Sequence, residues 1–330
     1  MDLSINNGQP APDNNTGDAI ETPVFVYPPK PLPEPPAGNS IVRFIISIAL
    51  FGLAYYFLVS KNIYLLVVIA VVLLIHELGH FFAMKFFRYQ DLSIFFIPLL
   101  GAAASGTKEN ISQKEKAIVL LAGPLPGIIA GLVLFFIARN QPDGLQLLRL
   151  SYAFVLLNLF NLLPIYPLDG GQLLKTLFMR SNNTVSNIFI LVSAALLTWY
   201  AVTRHLWALL LIGMFLLLRL VVQAQTRKLR QRLDELSISW QKNFSQLTDE
   251  EYWRIRDEAL TINPRLSTDA APQVYEMSHD ENRIISYIQG VLKTTVRKDL
   301  SAAGVAIIIV IWVAAAVAPL WFMTRLWYVL

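Results

Sequence analysis

Long apolar runs, broken by short polar stretches, recur along most of this chain. Crossing a bilayer as a helix takes about 20 apolar residues. Runs near that length fall at about 43–60, 62–86, 117–138, 148–167, 186–203, 205–224 and 301–323. The last is the cleanest, with no charge between Asp299 and Arg325. The fourth is the least regular, because it runs into Pro164 and Pro167, which cannot continue a helical hydrogen-bond ladder. The pattern predicts an all-α polytopic membrane protein with about seven transmembrane helices, six of them in a membrane domain over 41–224 and one at 301–330.

Three stretches depart from this pattern. Residues 1–40 hold nine of the eighteen prolines among Asn, Asp, Gly and Thr. Such a segment buries little apolar surface and is expected to be disordered, partly polyproline II. It lacks a basic start followed by an apolar core, so it does not read as a cleavable signal peptide. It reads as a tether, with a Pro-rich partner-binding tail as the alternative. Residues 225–300 turn polar and read as a small helical cytoplasmic module. Thr248 to Glu251 and Ser278 to Glu281 each fit a capping box, with His279 exposed in the second. Asp91 to Gly106 is too apolar for an ordinary loop and too short, with Pro98 inside, for a span.

Composition supports lipid as the solvent. Hydrophobic residues make up 55% and charged residues 15%, against about 25% charged in soluble domains. The formal charge is +4, too small an excess to point to nucleic acid. Placing the N-terminus in the cytoplasm leaves only Lys61, Arg139, Arg149, Arg204 and Arg325 outside, of 27 Lys and Arg. The positive-inside rule selects that orientation. There is no cysteine and there are only four histidines. Thiolate sites and multi-histidine iron sites are therefore excluded, and any transition-metal site must use His and carboxylate.

The chemistry concentrates in His76-Glu77-Leu78-Gly79-His80, inside the second apolar run. Residues i and i+4 share a helix face, so both imidazoles can reach one ion, with Glu77 placed to act on a water. Ionisable groups inside an apolar span are costly and mark function. A catalytic zinc takes three protein ligands. His205, at an outer turn, is a poor third. Asp169, in Asn161-Leu-Leu-Pro-Ile-Tyr-Pro-Leu-Asp169-Gly-Gly171, is the better choice, because its span runs in the same direction as the second. Taken alone, Asp169 could instead cap a helix starting near Gln172.

These two motifs, in this order and with this membrane placement, resemble the site-2 protease family of intramembrane zinc metalloproteases over about residues 62–180. The resemblance implies one Zn2+ per chain held by His76, His80 and Asp169, with Glu77 as catalytic acid/base. It also implies that Asn161 holds the substrate backbone or the developing oxyanion. It further makes Asp91 to Gly106 a short re-entrant element, in which Ser93 to Leu100 is expected as a strand-like edge for an unwound substrate segment, or else simply packs. Leu121-Ala-Gly-Pro-Leu-Pro-Gly127 resembles the family's small-residue motif, and Gly123 and Gly127 make a face for close helix packing.

The expected activity is hydrolysis of peptide bonds in transmembrane substrate proteins, in a multi-pass protein of a bacterial inner membrane. One alternative is a proteolytically silent zinc-binding scaffold of the same fold. The other is a metal transporter, which would need further ionisable residues along a path. The fifth and seventh runs supply none. Substrate identity, regulatory partner and oligomeric state are not legible.

Overall fold

The computed structural model describes residues 27–33, 40–99, 101–141, 143–179, 184–205, 207–292 and 296–327. The chain is an all-α, multi-pass membrane protein, with six helices long and apolar enough to cross a bilayer and one small β-hairpin among the described residues. Helix α1 runs Ser40–Leu58 and α2 runs Ile63–Phe86. The hairpin of β1 (Gln90–Ile97) and β2 (Gly101–Thr107) follows. Then come α3 (Gln113–Ala122), α4 (Pro124–Ala138), α5 (Leu145–Asn161) and α6 (Asp169–Phe178). Two long helices, α7 (Thr184–Thr203) and α8 (Trp207–Glu235), are succeeded by α9 (Asp249–Ile262), α10 (Glu281–Val291) and α11 (Ala302–Trp327).

Six of the seven expected runs become such helices; the sixth continues as α8 to Glu235, past the end of its apolar run at 224, and the boundaries depart from the apolar pattern in two further places. The third run starts earlier, at Gln113, where Ser112 and Glu115 form a reciprocal capping box. It is interrupted at Gly123, because Pro124 and Pro126 offer no N–H to the preceding turn. The fourth run yields only the 17-residue α5. At 1.5 Å per residue that is about 25 Å, short of the roughly 30 Å hydrocarbon core. Leu163 to Leu168 then form an irregular connection, and α6 begins at Asp169.

Helix α2 is the hub. It touches α1, α3, α4, α5 and both strands. Its buried stripe runs Val68, Val72, His76, His80 and Met84, one residue in four, with Glu77 beside it. Polar groups of the motif thus lie on the protein-facing side, while Ile63, Tyr64 and Val67 face outward. The tightest helix pair is α4 with α5, where the Ser151 hydroxyl donates to the Gly131 carbonyl at 2.7 Å.

The stretch expected as a short re-entrant element with a strand-like Ser93 to Leu100 is an antiparallel hairpin, with Ile94 opposite Ala104 and Phe96 opposite Ala102. The expected substrate edge on Ser93 to Leu100 is covered. Helix α1 packs on β1 through Phe44 and Phe51 against Phe96. The Phe96 N–H, which points away from β2, donates to the Ser47 hydroxyl at 3.0 Å. Strand β2 packs against α2. Leu100 lies outside the described residues.

The polar region forms its own apolar core, in which Leu229 and Leu233 of α8 meet Tyr252, Trp253, Ile255, Ile284 and Ile288. The Thr248 capping box is present. The second is rearranged: Asp280 is the N-cap, and Ser278 Oγ accepts the Asp280 N–H, not that of Glu281. Glu281 still takes the Ser278 N–H, but its carboxylate is drawn inward to Arg256. His279 is 99% exposed at its side chain. The Pro-rich tail lies outside the described residues except for 27–33, which pack on this region.

Candidate metal centre

Three ligand atoms from two distant segments meet in the membrane part. His76 Nε2 lies 3.0 Å and His80 Nε2 3.3 Å from Asp169 Oδ2, and the two Nε2 atoms are 3.1 Å apart. All three residues are buried. A tetrahedral ion with bonds of about 2 Å sets its ligand atoms about 3.3 Å apart, so the triangle has the size such an ion needs.

The hydrogen bonds behind the ring atoms fix what the front atoms can do. His76 Nδ1 faces Asn158 Oδ1 at 2.8 Å. The Asn158 amide Nδ2 donates to the Phe154 carbonyl at 2.7 Å, so Oδ1 is left as the acceptor and His76 Nδ1 as the donor. His80 Nδ1 faces the carbonyl of Val119 at 2.7 Å, which accepts only. When neutral, both imidazoles therefore carry their proton on Nδ1 and turn a bare Nε2 lone pair inward. Those lone pairs converge on a buried carboxylate oxygen. Acceptors facing acceptors at 3.0–3.3 Å repel one another unless a proton or a metal cation lies between them. The donor set, two imidazoles and a carboxylate, fits zinc.

Helix packing is cut to this cluster. A Cβ on Gly123 would sit 2.3 Å from His80 Nε2, and one on Gly127 would sit 2.1 Å from Asn158 Nδ2. The small residues of the 121–127 motif therefore make room for one ligand and for the support of the other. The Asp169 turn is held by Trp312 of α11, whose Nε1 donates to the Leu162 carbonyl at 2.9 Å. Asp169 is the first residue of α6, whose N-cap is Leu168.

Glu77 is buried beside the ligands, and its carboxylate accepts the backbone N–H of Ala104. Ala104 and Phe96 share the alternation of the ladder, so this N–H lies on the edge of β2 away from β1. Asn161, the last residue of α5, donates instead to the Leu157 carbonyl one turn back, at 3.3 Å. His205 is exposed at the end of α7, away from the cluster. Among the described residues, His76, His80 and Asp169 form the group with metal-binding geometry. Asn158, fully buried, is the functional residue that the sequence reading missed. Its one signal is an amide in an apolar helix, three residues before Asn161.

The sequence profile of peptidase family M50 matches residues 64–145, a span that includes both histidines but not Asp169. The chain is similar to zinc metalloprotease MJ0392 of Methanocaldococcus jannaschii, 30% identical over 136 residues, or 38% of this chain and 39% of that protein. It is also similar to stage IV sporulation protein FB of Bacillus subtilis, 34% identical over 124 residues, or 37% of this chain and 43% of the other. The matches thus span about two-fifths of the length of these curated relatives. Among solved structures, a site-2 protease from Methanocaldococcus jannaschii aligns at a TM-score of 0.39 and 24% identity, covering 53% of this chain and 84% of that one. By profile, residues 64–145 of this chain match peptidase family M50, and the two curated relatives are each similar over less than two-fifths of the chain's length.

Proposed function

We propose that this protein hydrolyses peptide bonds of transmembrane substrates, using one Zn2+ held by His76, His80 and Asp169. The observation that carries the reading is the meeting of three bare acceptor atoms within 3.3 Å of one another, next to the Glu77 carboxylate. When bound, zinc lowers the pKa of a coordinated water towards about 7 and polarises a carbonyl.

The chain's own groups do the rest. Glu77 takes the proton from the attacking water and passes it to the departing amine nitrogen. Its burial beside two imidazoles keeps it out of bulk water, and the Ala104 N–H aims it. Asn161 is assigned to the substrate backbone, because its bond to the Leu157 carbonyl is long and easily exchanged. A helical peptide bond is shielded by its own hydrogen bonds, so the substrate unwinds first. The unwound stretch then lies in extended form beside the hairpin, within reach of Glu77. In this reading α5 and the broken segment after it make a seventh crossing, the N-terminus and the polar module are cytoplasmic, and the membrane is a bacterial inner membrane.

Glu77→Gln tests this. The variant keeps its zinc and loses cleavage by about 10²–10⁴-fold, the worth of a general base. In cells, comparing membrane proteomes of the two forms shows uncleaved transmembrane proteins accumulating with the variant. Identical proteomes would leave a silent scaffold as the better reading.

A further inference from the structure

The polar module holds a peptide of this same chain, and the manner of holding is that of a recognition site. Residues 27–33 have neither helix nor strand structure and run Tyr-Pro-Pro-Lys-Pro-Leu-Pro. Each proline fixes its own φ near −65°, which presets the polyproline II form and lowers the ordering cost of docking. Trp253 Nε1 donates to the Pro28 carbonyl at 2.7 Å. Tyr27 stands edge-on to Tyr275 at 5.2 Å, and Tyr275 edge-on to Trp253 at 5.8 Å. An indole N–H on a proline carbonyl, between stacked aromatic walls, is how Pro-rich ligands are bound in general.

Lys30 supplies the specificity. Its ammonium donates to three backbone carbonyls, Phe244 at 3.0 Å, Ser245 at 3.1 Å and Leu247 at 2.5 Å. It also lies 5.5 Å from the Phe244 ring centroid, while the Lys30 backbone N–H donates to Asp249 Oδ1 at 2.8 Å. Three donors meeting three carbonyls exhaust the hydrogen-bonding capacity of an ammonium. A neutral or acidic residue cannot replace it. The buried core residues of the module run from Leu229 to Leu292, and Tyr27 packs at their margin.

We propose that the face of Trp253, Tyr275, Phe244 and Asp249 is a binding groove for a proline-rich peptide with lysine after two prolines, and that residues 27–31 occupy it in cis as a releasable latch. From Pro31 to Ser40 the chain can span at most about 30 Å. The latch therefore keeps the module near the start of α1, the helix that covers the outer edge of β1.

The test uses the full-length protein in detergent micelles and a fluorescein-labelled synthetic peptide of residues 24–33. In the wild-type chain the cis segment blocks the groove. Lys30→Glu or Tyr27→Ala, both outside the core, frees it. Fluorescence anisotropy is expected to show the freed variants binding the peptide at least tenfold more tightly than the wild type. A peptide carrying Lys30→Glu should bind neither form. Equal binding to all chains, or no binding to the freed variants up to millimolar peptide, overturns the proposal.

Discussion

Two buried carboxylates in this chain have opposite surroundings. Glu281, in the polar module, faces donors on every side. Arg256 reaches its two oxygens at 2.9 and 3.0 Å, Tyr252 adds its hydroxyl and Ser278 its backbone N–H. Arg256 is itself completed by the carbonyls of Val274 and Glu276 at 3.1 Å each. Asp169, in the membrane part, faces two imidazole lone pairs, and its Oδ2 has no hydrogen-bond partner. One arrangement is complete within the protein. The other needs a cation, because burial without a partner is costly for any polar atom. A structural ion pair and a metal site are thus told apart by who donates.

The difference is broken most strongly by removing one partner from each cluster. Arg256→Met leaves Glu281 buried without its partner, which typically costs about 3–5 kcal/mol. The module should then unfold at lower temperature in a thermal melt of the full chain, with zinc content unchanged. Asp169→Asn should do the reverse, losing zinc in elemental analysis while the melt of the module stays where it was. Equal effects of the two changes on both readouts would erase the distinction.

A milder change sharpens the same contrast. Asn158→Leu removes the acceptor that fixes the His76 tautomer. Second-sphere partners of this kind are worth about 10–100-fold in metal affinity, which competition with a zinc chelator measures. Unaltered affinity would mean that the Asn158 bond does not set the ring.

The two motifs made most of the site legible in the sequence, for a physical reason. His76 and His80 are local to one helix turn, and Asp169 is flagged by prolines and glycines that stop a helix at membrane depth. Asn158 escaped notice because its role depends on a partner 82 residues away, and a single amide in an apolar helix has no pattern. The long spans were readable because lipid demands about 20 apolar residues whatever they pack against. The strand-like character of Ser93 to Ile97 was readable, but its partner β2 was hidden by its composition. β2 reads Gly-Ala-Ala-Ala-Ser-Gly-Thr, with few β-branched residues and no alternation. Its small side chains lie between α2 and β1, so packing, not propensity, makes it a strand. The tail was read as a tether, and residues 27–33 dock because of aromatic walls more than 200 residues away.

The smallest expected effect concerns acid. The hydroxyls of Ser267 and Ser278 and the backbone N–H of His279 hold the Asp269 carboxyl below the usual carboxylate range. A carboxyl lowered on folding stabilises the fold above its unfolded pKa of about 3.9 and loses that contribution as pH falls further. Melts of the module should decline below about pH 4, and Asp269→Asn should flatten that limb. An unchanged acid limb in the variant would assign the decline to other groups.

The central claim is that His76, His80 and Asp169 share one zinc ion, and zinc-edge X-ray absorption on the purified full-length protein tests it most directly. The account predicts one zinc per chain, with two imidazole nitrogens and oxygen ligands at about 2.0–2.2 Å, and loss of one imidazole shell in His80→Ala. Protein that binds no zinc when loaded, or zinc whose shell is unaltered in His80→Ala, would contradict it.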